Sequence, residues 1–307
     1  MQSSFAADKT QTAHFSLPGL FEFYDLYTIF LPLFYEHREW FYPWCDIGSV
    51  YGAPGDCLWG GGRVGAGDND AKEVKALMQD YSISSRLTFS NSLLKEEHLS
   101  DRKCNELCAQ FEHGGTVKNG IIIYSDLLMD YIHKQYPEFY FVSSTTKVIT
   151  EWDTLCSELH RKEFQYVVPD FRMNNNSKKL NTLNDECKKK VEFLCNECCW
   201  FNCTDRKACY ENVSRKVLGE ACADHKCISP DADEGYVFSK AMKNPGFIST
   251  EAIQHVYLPM GFTQFKIEGR SLGSALVLEF LLYYLTKPEY QLQVREKMYL
   301  NSELDLF

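Results

Sequence analysis

The chain has 307 residues and a mass of 35.5 kDa, too much for one small module and little for two full domains. A (β/α)8 barrel commonly takes about 250 residues, so one barrel with extensions is the economical expectation. Lys and Arg number 32 against 42 Asp and Glu, a net charge of −10 with pI near 5.4. That balance argues against broad nucleic-acid binding, and 45% hydrophobic residues exclude wholesale disorder.

The chain begins MQSSFAADKTQTAHF, polar and without the apolar region of a secretory signal. Thirteen cysteines, an odd number, then point to a reducing, cytoplasmic compartment, where clustered cysteines bind metal more often than they pair. No stretch reaches the roughly 20 apolar residues of a membrane span. The nearest, Leu272 to Leu285, carries Glu279 and is better read as a buried helix.

Residues 15–44 are aromatic at 12 of 30 positions, with Glu22, Asp25 and Pro32 breaking the run. The segment is expected to cover one end of the core, or else to form a dimer or partner surface. Strand-type runs then alternate with helical patterns: Asp46–Gly52 before a helix near 70–81, Arg86–Asn91 before 101–111, and Asn119–Ser125 before 126–136, with Asp126 as N-cap. Phe139–Ser144 leads into 150–162, and Tyr166–Asp170 into a polar loop and a helix near 184–190. Glu192–Asn196 opens a cysteine-rich stretch, Phe247–Ser249 precedes a helix over 250–258, and Gln264–Gly269 precedes the apolar helix 272–285. Eight such units predict an α/β protein of (β/α)8 type. The expected organisation is an aromatic extension over 1–45, a barrel over 46–287 with a Cys-rich loop at 195–245 after the sixth strand, and a C-terminal helix or tail over 288–307.

Eight cysteines fall between 187 and 227: Cys187, Cys195, Cys198, Cys199, Cys203, Cys209, Cys222 and Cys227. Thiolates three or four residues apart on a loop can reach one metal centre, and soft sulfur selects zinc, copper(I) or iron–sulfur over hard cations. Structural zinc usually takes two separated C-x2-C pairs. The uneven spacing here suits an iron–sulfur cluster better, with zinc as the alternative. Cys57, at the end of the first expected strand, is an outlying candidate that barrel closure could bring to the same place.

The order of elements, the cysteine-bearing loop and the closing stretch GFISTEAIQHVYLPMGFTQFKIEGR (residues 246–270) resemble the U32 family of barrel proteins, once called collagenase-like peptidases. The resemblance covers most of residues 46–285. It implies a [4Fe-4S] cluster whose ligands are Cys199 and Cys203, with Cys227 following and Cys57 from early in the barrel; Cys195, Cys198 and Cys222 are alternates. It further implies oxygen-independent oxidoreductase or hydroxylase chemistry, and otherwise a metal-dependent hydrolase or peptidase. A partner subunit with a structural cluster is the non-catalytic option.

In such a barrel, chemistry sits where strands end. Asp170, Lys266 and Arg270 are the candidate catalytic residues, and Arg63 of GGGR, Asn91 and Glu268 the candidate substrate contacts. Lys266, pointing inward, needs a carboxylate partner, either Glu268 or Asp170. No HExxH or GxSxG motif supports a zincin or serine hydrolase. The expected substrate is a small anionic or modified-nucleobase-like molecule; nucleic acid and membrane are not expected partners.

Overall fold

The structure, a computed structural model, describes residues 11–63, 65 and 67–301, without the side chain of Asn301. Eight strands form one parallel sheet: β1 (Ala13–Pro18), β2 (Cys45–Gly52), β3 (Ser84–Phe89), β4 (Gly120–Ile123), β5 (Tyr140–Ser143), β6 (Phe164–Val167), β7 (Glu192–Leu194) and β8 (Gln264–Lys266). Their order is β6-β5-β4-β3-β2-β1-β8-β7. A single parallel bridge, Val167 to Val191, joins the two ends, so the sheet is a nearly closed (β/α)8 barrel.

The expected first strand is in fact β2. The barrel begins inside the aromatic segment, where Ala13, Phe15 and Leu17 alternate with His14 and Ser16. Phe15 and Leu17 pack under the helices, while Ser16 faces inward and bonds Ser49 across the pair at 2.9 Å. The run is short, follows a polar start and merges into the aromatic stretch beyond Gly19, which masks that two-residue period in the sequence. Residues 11–45 of the expected extension therefore supply β1 and the first helix, α1 (Tyr24–Glu36), and residues 1–10 lie outside the described ones. Conversely, residues 247–249 form no strand; Ile248 N donates to Cys195 O, just past β7, at 3.0 Å, and its side chain is buried in the core. The cysteine-rich loop thus follows β7.

Helices α2 (Ala71–Asp80), α3 (Arg102–Phe111), α4 (Asp126–Gln135) and α5 (Trp152–His160) follow β2 to β5. Asp70 caps α2 and Asp101 caps α3 through their carboxylates. Ser125, not Asp126, caps α4, because the serine holds the extended conformation that precedes the first turn. At the C-terminus, the helix Gln291–Asn301 packs on Ser274–Leu285 and α1; residues 302–307 lie outside the described ones.

The large apolar core lies between sheet and helices. Inside the barrel sits a second, small cluster of Tyr51, Ile122, Val142, Val168 and Leu194. Beside it is a polar layer: buried Arg86 pairs with buried Glu192, and also donates to Ser16 Oγ (3.2 Å) and Tyr140 Oη (2.8 Å). Gly120 makes room for that layer, since a Cβ there would lie 2.4 Å from the Tyr140 ring.

Candidate functional site

At the C-terminal mouth of the barrel is a cavity of about 70 Å³, enough for several waters or a small ligand. Arg63, Lys266, Glu268 and Arg270 all line it, so four of the six predicted catalytic and substrate residues converge. Lys266 ends β8, while Glu268 and Arg270 lie beyond the strand, in the turn that leads to the apolar helix. Gly61 lets the Arg63 loop pass against the end of β3, because a Cβ would meet the Ser90 backbone at 2.6 Å. Tyr51, Thr88, Ser90 and Thr145 complete much of the wall.

The other two predicted residues are elsewhere. Asn91 is saturated by backbone: its amide donates to Leu58 O and Ser214 O, and its Oδ1 accepts from Leu93 N. Asp170 is fully buried off the cavity, accepting from Arg172 N (3.1 Å) and Arg172 Nε (2.6 Å). It joins the mouth only through a chain of charges. Arg206 Nε lies 3.4 Å from Asp170 Oδ2, Arg206 Nη2 donates to Glu197 Oε2 at 2.6 Å, and Glu197 Oε1 accepts from Arg63 Nη2 at 2.7 Å. Arg63 Nη1 in turn donates to Glu268. Arg270 is likewise committed, to Glu22 Oε1 at 2.7 Å and Ala53 O at 3.0 Å.

The two carboxylates on Arg63 titrate apart. Burial works to raise the Glu197 pKa, but the guanidiniums of Arg206 and Arg63 together hold it far below the usual carboxylate range. Burial dominates at Glu268 and pushes it up to about 8, against the pull of Arg63 and with the Glu197 charge reinforcing the rise. Near neutral pH one is a carboxylate and the other a carboxylic acid, a division that suits acid–base work. Oxygens of both, with Cys198 Sγ, lie within 4.8 Å of one another. Arg63 already supplies the cation that this group requires.

Lys266 meets a different partner from those expected. Its Nζ stands 3.9 Å from Glu192 Oε1 and 3.1 Å from the centre of the Tyr51 ring, and it makes no hydrogen bond among the described residues. Burial lowers its pKa to about 7, and the Arg86 and Arg270 cations act the same way against Glu192. The unfolded lysine keeps its proton up to its ordinary value of 10.5, so the unfolded chain binds more protons between about 7 and 10.5. Stability rises with pH wherever that holds. Urea unfolding of the wild type and of Lys266→Met should therefore diverge, the wild type gaining on the variant as pH climbs through that window. A difference that stays flat across the window contradicts the assignment.

Of the predicted thiol ligands, Cys57 lies apart. It is buried, its sulfur is 3.2 Å from Cys104 Sγ on α3, and the backbone N–H groups of Trp59 and Gly60 bond to it. Cys199 and Cys203 instead lie in the loop after β7, Cys209 in the first turn of the helix Arg206–Val217, and Cys227 in the segment beyond that helix. Cys199 lies within electrostatic reach of Cys203, and Cys209 within reach of both Cys203 and Cys227. The loop backbone is pinned where the thiols emerge: Arg172 Nη1 donates to Cys203 O (2.7 Å) and Asn244 Nδ2 to Cys199 O (2.9 Å). Burial pushes the Cys199 thiol up to about 12 despite Arg206. Such a thiol becomes a thiolate when a cation replaces its proton. Among the described residues, the group of three ligand atoms within 4.8 Å of one another is that of Glu197, Cys198 and Glu268, and the thiols of Cys199, Cys203, Cys209 and Cys227 do not form such a group; the Cys57 sulfur is held against Cys104.

No sequence motif marks Glu192, Arg86, Glu197 or Arg206 as parts of this charge network. A charge inside a strand was the available signal for Arg86 and Glu192, since a barrel interior must pair it. Glu197 and Arg206 were overshadowed by the cysteines around them.

No family model and no curated protein matches the chain. Among solved structures it is similar to one described as the U32 peptidase Mk0906, at 11% identity and a TM-score of 0.50, over 87% of this chain and 97% of that one. No helix among the described residues is long and apolar enough to cross a membrane. At 11% identity the likeness bears on the fold alone: this barrel is shared with a U32 peptidase.

Proposed function

We propose that the chain is a U32-like barrel enzyme, an oxidoreductase that takes a small polar or anionic substrate into the cavity at the strand ends, beside an iron–sulfur cluster in the loop after β7. The observation that supports this reading is that Cys199 and Cys203 stand in the loop after β7 that also contributes Glu197 to the cavity wall, with Cys209 in the helix that follows and Cys227 beyond it. Those four residues would hold the cluster, with Cys209 in place of Cys57. When bound, the cluster supplies single electrons to chemistry in the cavity.

The chain's own residues do the rest. Arg63, tied to Glu197 and Glu268, presents a fixed positive edge toward an anionic substrate group. Glu268 holds a proton it can donate, and Lys266 an amine that can accept one. The cavity of about 70 Å³ admits a small molecule. Anaerobic purification followed by iron, sulfide and zinc analysis tests the reading. About four irons with matching sulfide per chain is the expected result. Zinc without sulfide would replace it with the metal-dependent hydrolase.

A further inference from the structure

The loop from β2 to α2 is fastened to α3 and to the turn before it across residues 56–59. Asp56 pairs with Lys103, the Cys57 sulfur stands 3.2 Å from Cys104 Sγ, and Trp59 Nε1 donates to His98 O at 2.7 Å. The first two contacts run in step along both segments, an exposed ion pair beside a buried pair of free thiols. Trp59 is fully buried against Phe89 and Tyr131, which holds the loop backbone next to Cys57 from inside the core. Cys104 is fixed from its own side, because its backbone N–H donates to the capping Asp101 carboxylate at 2.8 Å. Two sulfurs are thus pressed closer than ordinary van der Waals contact by anchors that neither of them supplies.

We propose that Cys57 and Cys104 are a redox pair that closes to a disulfide under a hydroperoxide and reopens with a dithiol, tying the loop that carries Arg63 to α3. The pair stands apart from the loop after β7, and its chemistry does not depend on the function proposed above. A disulfide brings its sulfurs to about 2.0 Å, so closure takes about 1 Å of relative movement. Backbone N–H groups of Trp59 and Gly60 bond to the Cys57 sulfur, which makes Cys57 the attacking thiol. Cys57 is 1% exposed and Cys104 0%, which excludes a bulky disulfide as oxidant and fits a small hydroperoxide. An open cleft lined by Gly55, Asp56, Lys103 and Leu107 brings solvent to the residues that flank both thiols.

The Cys57 sulfur attacks one peroxide oxygen and the O–O bond breaks, leaving a sulfenic acid on Cys57 and releasing water. The Cys104 sulfur then attacks the Cys57 sulfur, the S–O bond breaks, and the hydroxyl leaves with the Cys104 proton as a second water. The two sulfurs give up two electrons and the peroxide takes them, so two thiols and one peroxide become one disulfide and two waters. The link encloses α2 and β3 in a covalent loop, a cross-link that limits the unfolded chain.

The test is limited oxidation of the full-length protein, purified anaerobically in reductant, with stoichiometric hydrogen peroxide. Remaining thiols are alkylated under denaturing conditions and the unreduced digest is mapped by mass spectrometry. The expected result is a peptide pair linked through Cys57 and Cys104 in most chains, together with an unfolding midpoint several degrees above that of the reduced protein. Dithiothreitol should reverse both. In Cys104→Ser, Cys57 should stop at the sulfenic acid and be captured by dimedone. The wild-type map stands whether or not that variant folds. Cys57 and Cys104 both recovered as thiols while other cysteines are oxidised, or Cys57 linked to Cys108 one turn further along α3, overturns the proposal.

Discussion

Glu192→Ala is expected to destabilise the protein by about 3–5 kcal/mol, read from urea unfolding, because it strips a buried guanidinium of its counter-charge. Glu192 and Arg86 are 1% and 3% exposed, so water cannot replace the lost partner. Arg86 would keep its bonds to Ser16 Oγ and Tyr140 Oη and its place over the Tyr140 and Tyr166 rings, none of them a counter-charge. Replacing both members, as Glu192→Leu with Arg86→Met, should recover most of the loss, since removing a whole buried pair is often close to neutral. A single-variant loss under about 1 kcal/mol would show that the layer is wet or loosely held.

Cys209→Ser is expected to lose most of its bound iron, and Cys57→Ser to keep it. Cys209 is within electrostatic reach of Cys203 and Cys227, whereas Cys57 contacts Cys104 on α3. Cys199→Ser and Cys203→Ser should behave like Cys209→Ser. Iron per chain after anaerobic purification is the readout, with thermal unfolding to confirm that each variant is folded. Retained iron in Cys209→Ser together with lost iron in Cys57→Ser would restore the ligand set that the family resemblance implies.

The contrast between those two cysteines shows where a sequence stops being legible. Barrel architecture is written locally, as apolar strand runs between amphipathic helices, and it is readable for β2 to β8 apart from the short run at 247–249. β1 is not legible because its six residues join a polar start to the aromatic stretch beyond Gly19, and the inward Ser16 alone does not mark a strand period. Site residues that lie where strands end, Arg63, Lys266, Glu268 and Arg270, could be placed from topology alone. Asp170 and Asn91 satisfied the same positional rule, yet their side chains are consumed by Arg172 and by backbone groups, which only packing reveals. Cys57 failed for a similar reason: a position near a strand end fixes the backbone, while the side chain turned outward to α3. The pairing of Lys266 with Glu192 crosses from β8 to β7, and no short-range pattern encodes it.

Anomalous scattering at the iron edge from anaerobically grown crystals tests the central claim most directly. The account predicts an iron-derived peak in the loop after β7, bounded by the sulfurs of Cys199, Cys203, Cys209 and Cys227. A peak bounded by Cys57, or no iron peak in protein that carries zinc, would contradict it.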